Sequence, residues 1–279
     1  MLCLSIFVAI ITIRTTEQDD ANCSRLFECG QFKIGYPFWG LSRPAYCGLP
    51  AFRLRCGIGE TPMIGISGIP LKILRIDEFS RTLTLLREGY GGLLCLPTQT
   101  ITLASDLFDY APDTQFVVLF YDCPPPSVWI QLPASIGRLN CNGGSGDYFL
   151  LSEHLLGGFE DSVRIWLESC RNRVSMPANR TELGRSSPPP TSVERLAAAM
   201  NHGFGLRWTR DYDGACVNCT KSGGVCGFSE RAARFFACYC AGQAYAADCL
   251  ALSSASPPEK QLGETGTIFL FFSSSSRAR

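Results

Sequence analysis

Short apolar runs bounded by glycine and proline dominate the first half of the sequence. In Phe52–Cys56 apolar and polar positions alternate, which places the apolar side chains on one face of a strand and two arginines on the other. Arg81–Leu86 alternates in the same way. Phe116–Tyr121 is a continuous apolar run, as expected of a strand covered on both faces. These patterns predict strands and turns in this half, not long helices.

The second half of the sequence has fewer regular patterns. A glycine-rich turn is predicted over Cys141–Asp147, and the alternation in Ser162–Ser169 predicts a further strand. Val193–Met200 is the one segment with a helical pattern, with Ser192 as its N-cap and Gly203 as its stop. The predicted fold is mainly β, with two small disulfide-rich β domains and one short helix.

Cysteine content adds covalent crosslinks to this picture. The sequence has 15 cysteines, and one of them, Cys3, lies in an apolar N-terminal run. The remaining fourteen are an even number, as complete pairing requires, and their frequency indicates an oxidising compartment. They are Cys23, Cys29, Cys47, Cys56, Cys95, Cys123, Cys141, Cys170, Cys216, Cys219, Cys226, Cys238, Cys240 and Cys249. The early group ends at Cys123 and the late group begins at Cys141. Both groups are even, so we expect each to close its own bonds.

The two ends of the chain differ from the rest in composition. Met1–Ile13 is an apolar run followed by polar residues, which predicts a signal peptide over residues 1–21. A buried strand or helix at the start of a cytosolic domain is the alternative, and the cysteine content disfavours it. Two domains are then expected, at 22–125 and 140–250, with a Ser/Pro-rich tail at 251–279. We expect the protein to be secreted and to have no membrane helix as written.

Charge is balanced overall, with 25 basic and 25 acidic residues, so no general field attracts nucleic acid or a membrane surface. Its distribution is uneven, however. Ala21–Cys95 holds nine basic and five acidic residues, a local excess of +4. The first domain is therefore predicted to present a basic face.

Aromatic and arginine side chains cluster near the start of this basic segment, around Tyr36–Gly40 (YPFWG). Aromatic rings stack on the apolar faces of sugars, and arginine binds carboxylates with paired hydrogen bonds. An acidic polysaccharide is the ligand that this combination favours. The alternative is that Tyr36, Phe38 and Trp39 are core residues. The predicted ligand-binding residues are Arg53, Arg55, Arg43, Lys72, Trp39 and Tyr46.

Catalytic and metal-binding alternatives have weaker support. The two histidines, His154 and His202, belong to no metalloprotease-type motif, and no nucleophile elbow occurs. A carboxylate pair of the glycosidase type stays open as an alternative. Zinc held by the closely spaced cysteines of Cys216–Cys249 is a second alternative, disfavoured by the oxidising context. We predict no catalytic residue, no metal and no cofactor.

Three N-glycosylation sequons occur, at Asn22, Asn179 and Asn218. In the sequons of Asn22 and Asn218 the middle residue is a cysteine. Asn179 is therefore the favoured site.

Several motifs in order resemble one plant family. Cys23–Cys56 contains C-x5-C-G, Y-P-F-W-G and R-P-x-Y-C-G-x-P-x-F-x-L-x-C, and Phe120–Cys123 contains F-Y-x-C. These residues resemble the galacturonan-binding domain of wall-associated receptor kinases, and are most similar to those of the leaf-rust-resistance type. Gly203–Trp208 and Cys216–Cys240 resemble the C-terminal module of the same receptors. The family's tyrosine in an I-x-G-x-x-Y strand is replaced, at Ile69–Leu71.

The resemblance implies an ectodomain in the apoplast or cell wall that binds pectin-type galacturonan, with a membrane receptor as a second partner. A transmembrane helix and a kinase normally follow it in the family, and no kinase motif occurs in this sequence. A receptor-like protein, a soluble decoy and a truncated copy of a membrane-anchored receptor are the alternatives. A protein- or peptide-binding ectodomain without sugar binding is the other functional hypothesis.

Overall fold

The computed structural model describes residues 21–89, 93–95, 103, 107–139, 141, 146–184, 193–208, 213–229 and 236–250. The predicted leader, apart from Ala21, lies outside these residues, as do Ser192 and the tail after residue 250. Within the described ranges no helix has the length and apolar character needed to cross a membrane.

Strands form most of the regular structure. In chain order they are β1 (Phe27–Cys29), β2 (Phe32–Ile34), β3 (Leu54–Cys56), β4 (Pro62–Ile66), β5 (Ile69–Asp77), β6 (Thr82–Arg87), β7 (Phe108–Tyr110), β8 (Thr114–Cys123), β9 (Ile136–Leu139), β10 (Gly146–Leu150), β11 (Asn172–Asn179), β12 (Phe204–Trp208), β13 (Val225–Phe228), β14 (Phe236–Cys240) and β15 (Gln243–Tyr245). The α-helices are α1 (Asp161–Glu168), α2 (Arg180–Gly184), α3 (Val193–Met200) and α4 (Asp213–Lys221). The predicted mainly-β, disulfide-rich class is confirmed.

A six-stranded antiparallel sheet has the order β3-β4-β5-β6-β12-β7. On its inner face Leu83 and Leu85 of β6 are fully buried, as the alternation in Arg81–Leu86 predicted, and so is Leu71 of β5. Ser67 and Gly68, both at positive φ, form the tight turn that joins β4 to β5. The hairpin therefore forms in spite of the replaced tyrosine.

A four-stranded sheet has the order β11-β8-β10-β9. Strand β8 is covered on both faces, as its continuous apolar run predicted. Val117, Leu119 and Tyr121 pack into the main core, whereas Val118 and Phe120 pack into a second core under α1. β8 is thus the central strand of this half of the molecule.

The predicted strand over Ser162–Ser169 is wrong, because these residues lie in helix α1. Val163, Trp166 and Leu167 are buried, whereas Ile165 is 66% exposed. Burial at positions i, i+3 and i+4 is the helical period. The predicted helix Val193–Met200 is confirmed as α3, with Gly203 at φ 76° shortly after its end. The sequence did not predict helices α1, α2 and α4.

All fourteen cysteines from Cys23 to Cys249 form disulfides, as predicted. The seven bonds are Cys23–Cys47, Cys29–Cys56, Cys95–Cys141, Cys123–Cys170, Cys216–Cys226, Cys219–Cys238 and Cys240–Cys249. The expectation that each group closes its own bonds is wrong, since two bonds join the early group to the late one.

Strand pairing interlocks the two halves further. β12, from the late part of the chain, lies between β6 and β7, and β8, from the early part, lies between β10 and β11. The two parts therefore do not form separately closed modules, and 22–125 and 140–250 stay a proposal for sequence domains only. Last in the chain, β13, β14 and β15 form a three-stranded sheet beside α4, held by three disulfides.

Candidate functional site

Strand β3 is the edge of the six-stranded sheet, and the first candidate residues are Arg55 within it and Arg53 just before it. Phe52 and Leu54 are buried in the core, whereas Arg53 and Arg55 are exposed. Two residues apart in extended backbone, the two arginines point to the same side, about 7 Å from each other. The structure therefore brings them together as the alternation predicted.

The two arginines line one groove on the outward face of the sheet, which we call the sheet groove. Its volume is about 520 Å³. Apart from the arginines, its lining is apolar or glycine: Pro50, Ala51, Met63, Ile64, Gly65, Gly68 and Pro70. A Cβ atom added at Gly65 would meet nothing within 4 Å, so the floor of the groove is open above this glycine. The arrangement offers cationic groups beside a flat apolar surface.

Lys72 lies on the same sheet face but does not line the groove. In the strand register Arg55 is opposite Met63, and Met63 is opposite Lys72, so the three side chains share the outward face. The Lys72 Nζ lies 2.9 Å from an oxygen of Glu88, which is exposed. Lys72 is thus partly neutralised, and Arg53 and Arg55 are the cationic side chains that line the groove.

Trp39 is fixed next to the sheet groove. Its indole Nε1 donates a 2.7 Å hydrogen bond to the carbonyl of Leu49, and its backbone forms a short parallel bridge with Arg53. The Arg53 guanidinium lies 5.4 Å from the centre of the indole ring, which is cation–π distance. Trp39 therefore favours the orientation of Arg53 in which the guanidinium lies over the indole ring.

Arg43, also predicted to bind ligand, serves the fold instead. Its side chain is 2% exposed, and its guanidinium donates to four backbone carbonyls. The acceptors are those of Phe38, Cys23, Arg25 and Cys47. Burial lowers the pKa of Arg43 to about 10, which leaves it charged at neutral pH. Because this guanidinium is buried and directs its hydrogen bonds at backbone carbonyls, a polysaccharide cannot reach it, and we remove Arg43 from the candidate set.

Tyr46 lies in a second groove, which we call the aromatic groove. Its volume is about 590 Å³, and it is lined by Trp39, Ala45, Tyr46, Pro50, Phe228, Ser229 and Tyr239. The rings of Tyr46 and Tyr239 meet edge to face, with centroids 6.0 Å apart. The Tyr46 hydroxyl accepts a 2.9 Å hydrogen bond from the side-chain amide of Asn22. Tyr46 and Trp39 are therefore brought to one surface, beside residues of the three-stranded sheet.

The three sequons have different environments. Asn179 Oδ1 accepts from the amides of Thr181 and Glu182 and so caps α2, while its Nδ2 donates to Asp113. Asn22 Nδ2 donates to Tyr46, and Asn218 is exposed on α4. Of the three side chains, Asn218 is the one whose surroundings leave its amide nitrogen most open. Occupancy of Asn179, Asn22 and Asn218 stays a prediction.

The sulfur atoms of Cys238, Cys240 and Cys249 lie within 4.8 Å of one another. Each of them is bonded in a disulfide, to Cys219 or within the Cys240–Cys249 pair. A disulfide sulfur is not a thiolate, which is the form that binds zinc. The zinc alternative for this cluster is therefore not supported by the cysteines that the structure describes.

Sequence reasoning missed the other walls of both grooves. Met63 and Gly65 come from β4, whose pairing with β3 decides that they lie beside the arginines. Phe228 and Tyr239 come from the three-stranded sheet. Strand β4 alternates in the sequence, which is a usable signal for Met63. Nothing in the sequence places Tyr239 near Tyr46, since the two are far apart along the chain.

Comparison with known proteins agrees with these motifs. The galacturonan-binding domain of wall-associated receptor kinases matches residues 23–87, and the wall-associated receptor kinase C-terminal domain matches residues 140–243. No solved structure matches the chain.

Two curated relatives are receptor kinases of Arabidopsis thaliana. Leaf rust 10 disease-resistance locus receptor-like protein kinase-like 2.1 is 27% identical over 250 residues, which is 88% of this chain and 38% of the relative. The 2.5 member of the same series is 33% identical over 246 residues, which is 82% of this chain and 36% of the relative. The chain thus spans little more than a third of either relative, and both matched domains are extracellular modules rather than catalytic ones. We conclude that the chain is an ectodomain of the wall-associated receptor kinase type.

Proposed function

We propose that this chain binds the acidic polysaccharide of the plant cell wall, pectin-type galacturonan, in the sheet groove. The single observation that carries the proposal is that Arg53 and Arg55 are exposed side by side in one groove with an otherwise apolar lining. A guanidinium binds a carboxylate with charge-assisted hydrogen bonds. The galacturonan-binding family match over residues 23–87 supports the same ligand class.

Apolar lining residues complete the arrangement. Sugar rings have apolar C–H faces, which can lie on Met63, Pro50 and Pro70 while their carboxylates reach the arginines. Trp39 pre-organises Arg53, which lowers the entropy lost when a ligand is bound. We place this activity outside the cell, in the wall, where the seven disulfides persist and where the ligand occurs.

The direct test is to measure binding of the full chain to oligogalacturonides and to neutral glucans of equal length across a salt series. The full chain is required because two disulfides join its halves. We expect binding of the acidic ligand alone, weakening as salt screens exposed charges. Equal affinity for both ligands at every salt concentration would contradict the proposal.

A protein partner is the second candidate function. Val128 and Trp129 are adjacent in the chain and each is 88% exposed, and tryptophan is a frequent anchor residue of protein interfaces. Capture of partners from wall extract, before and after pectinase treatment, separates the two functions. A partner that is still captured after pectinase treatment, but is not captured by Trp129→Ser, supports a protein partner such as a membrane receptor. Capture that is lost after pectinase treatment supports the polysaccharide.

A further inference from the structure

The aromatic groove borders the sheet groove. Pro50 lines both, and Trp39, which lines the aromatic groove, carries on its ring the guanidinium of Arg53, which lines the sheet groove. A ligand chain that runs along the sheet groove past Arg53 therefore meets the aromatic groove next. Each groove holds several hundred Å³, so the two together suit a ligand longer than one sugar.

The two grooves differ in charge. The sheet groove has two arginines, whereas the described residues that line the aromatic groove include no charged side chain. Moving a carboxylate from water to an uncharged aromatic surface is unfavourable, because nothing there replaces its hydration. Aromatic rings do suit the C–H faces of an uncharged sugar. The sheet groove is thus complementary to the acidic part of a ligand, and the aromatic groove to an uncharged part.

The aromatic groove is built rigidly from both parts of the chain. The Tyr239 hydroxyl donates a 3.1 Å hydrogen bond to the carbonyl of Phe228, and its ring packs against the edge of Tyr46. Gly227 makes this packing possible, since a Cβ there would collide with the Tyr239 ring and with the carbonyl oxygen of Tyr46. The groove therefore exists before any ligand binds, and the C-terminal module supplies one of its walls.

We infer that the ligand is a polysaccharide chain of mixed charge: acidic residues bind in the sheet groove, and uncharged residues of the same chain bind in the aromatic groove. The inference rests on the proposed function and adds the substrate class. Two sugars have the required chemistry, a uronate whose carboxyl group is methyl-esterified and a neutral sugar. In this account the C-terminal module is part of the binding site and not only a structural support.

The test compares three ligands with the same number of free carboxylates: an acidic oligogalacturonide, the same oligomer extended by a methyl-esterified block, and the same oligomer extended by neutral sugars. For the unmodified full chain we expect an extension to tighten binding by about tenfold, the effect of one good contact. The gain should depend on which end of the oligomer carries the extension, because the order of the two grooves is fixed. The extension that gives the gain identifies the uncharged sugar.

Ala45 offers the matched variants. It is exposed in the aromatic groove, so Ala45→Arg adds a charge there without removing core packing, and Ala45→Gln adds a neutral side chain of similar reach. We expect Ala45→Arg to favour an oligomer extended by free uronates over the methyl-esterified one, and Ala45→Gln not to. Phe228→Ala should reduce the gain from extension while leaving the affinity for the short acidic oligomer unchanged.

The outcomes separate the inference from the proposed function. If acidic oligomers bind through Arg53 and Arg55 and no uncharged extension at either end improves the affinity, the inference is wrong and the proposed function stands. If no acidic oligomer binds at all, the proposed function itself fails.

Discussion

The four-stranded and six-stranded sheets use their faces in different ways. Both faces of β8 are buried, so its side chains between Val117 and Tyr121 all serve packing. The six-stranded sheet buries only one face at its β3 edge, and there the outward side chains of Arg53, Arg55 and Met63 form a groove. We therefore expect the four-stranded sheet to contribute mainly to stability and the outward face of the six-stranded sheet to contact the ligand. Substitutions should therefore affect unfolding in one region and binding in the other.

The largest effect is expected from the disulfide between Cys123 at the end of β8 and Cys170. This bond closes a loop with a sequence separation of 47. Loop-closure entropy of that length corresponds to about 4 kcal/mol of stability. Denaturant unfolding of Cys123→Ala/Cys170→Ala should show a loss of that order, and a loss below about 1 kcal/mol would contradict the central role of this sheet.

A core substitution on β8 follows. Leu119 is fully buried, and Leu119→Ala should lower the free energy of unfolding by about 3 kcal/mol through lost transfer energy and a cavity. Met63→Ala, on the outward face of the other sheet, is the matched control and should cost less than about 1 kcal/mol. Similar losses for the two variants would remove the distinction between the sheets.

The buried Arg43 and the exposed Arg55 should also differ in their effect on stability. Arg43→Met leaves up to four backbone carbonyls without their donor, and we expect a loss of about 2 kcal/mol in stability. Arg55→Met, in the groove, should change stability by less than about 0.5 kcal/mol. Thermal unfolding of both variants checks this, and an equal shift would mean that Arg55 also supports the fold.

The smallest effect is expected at alkaline pH, where stability should fall through the half-buried Tyr110 and the buried Tyr121. Burial raises the pKa of Tyr110 to about 12 and raises that of Tyr121 further. Because the unfolded chain loses these protons near its ordinary pKa of about 10, stability is full below that pH and falls as pH rises from about 10 to about 12. Denaturant midpoints across this window should fall, and less so in Tyr110→Phe. A slope unaffected by Tyr110→Phe would count against its burial.

Local sequence patterns predicted much of the fold. They failed where the spacing of apolar residues fits both the strand period and the helix period. Strand β8, the inner face of β6 and helix α3 follow from apolar spacing alone. In α1 the residues Val163 and Leu167 fit both a strand and a helix, since a spacing of four is compatible with either period. Trp166, buried with its Nε1 donating to the Pro124 carbonyl at 2.8 Å, decides for the helix.

Non-local pairing accounts for most of what the sequence could not predict. The insertion of β12 between β6 and β7 and the Cys95–Cys141 bond join segments far apart in the chain, and no local signal encodes them. In the site, the alternation predicted that Arg53 and Arg55 share a side. The sequence did not distinguish them from Arg43, because all three are arginines among apolar neighbours and only the fold decides which is buried.

The most direct test of the account is the affinity for an acidic oligogalacturonide at low salt, measured for the unmodified chain, Arg53→Gln/Arg55→Gln and Arg171→Gln. Arg171 is exposed next to β11, and its substitution removes a positive charge outside the groove. We predict at least about a tenfold loss for the groove variant, equivalent to about 1.4 kcal/mol, with unchanged thermal stability, and almost no loss for Arg171→Gln. An affinity that falls equally per charge removed in both variants, or not at all, would contradict binding in the sheet groove.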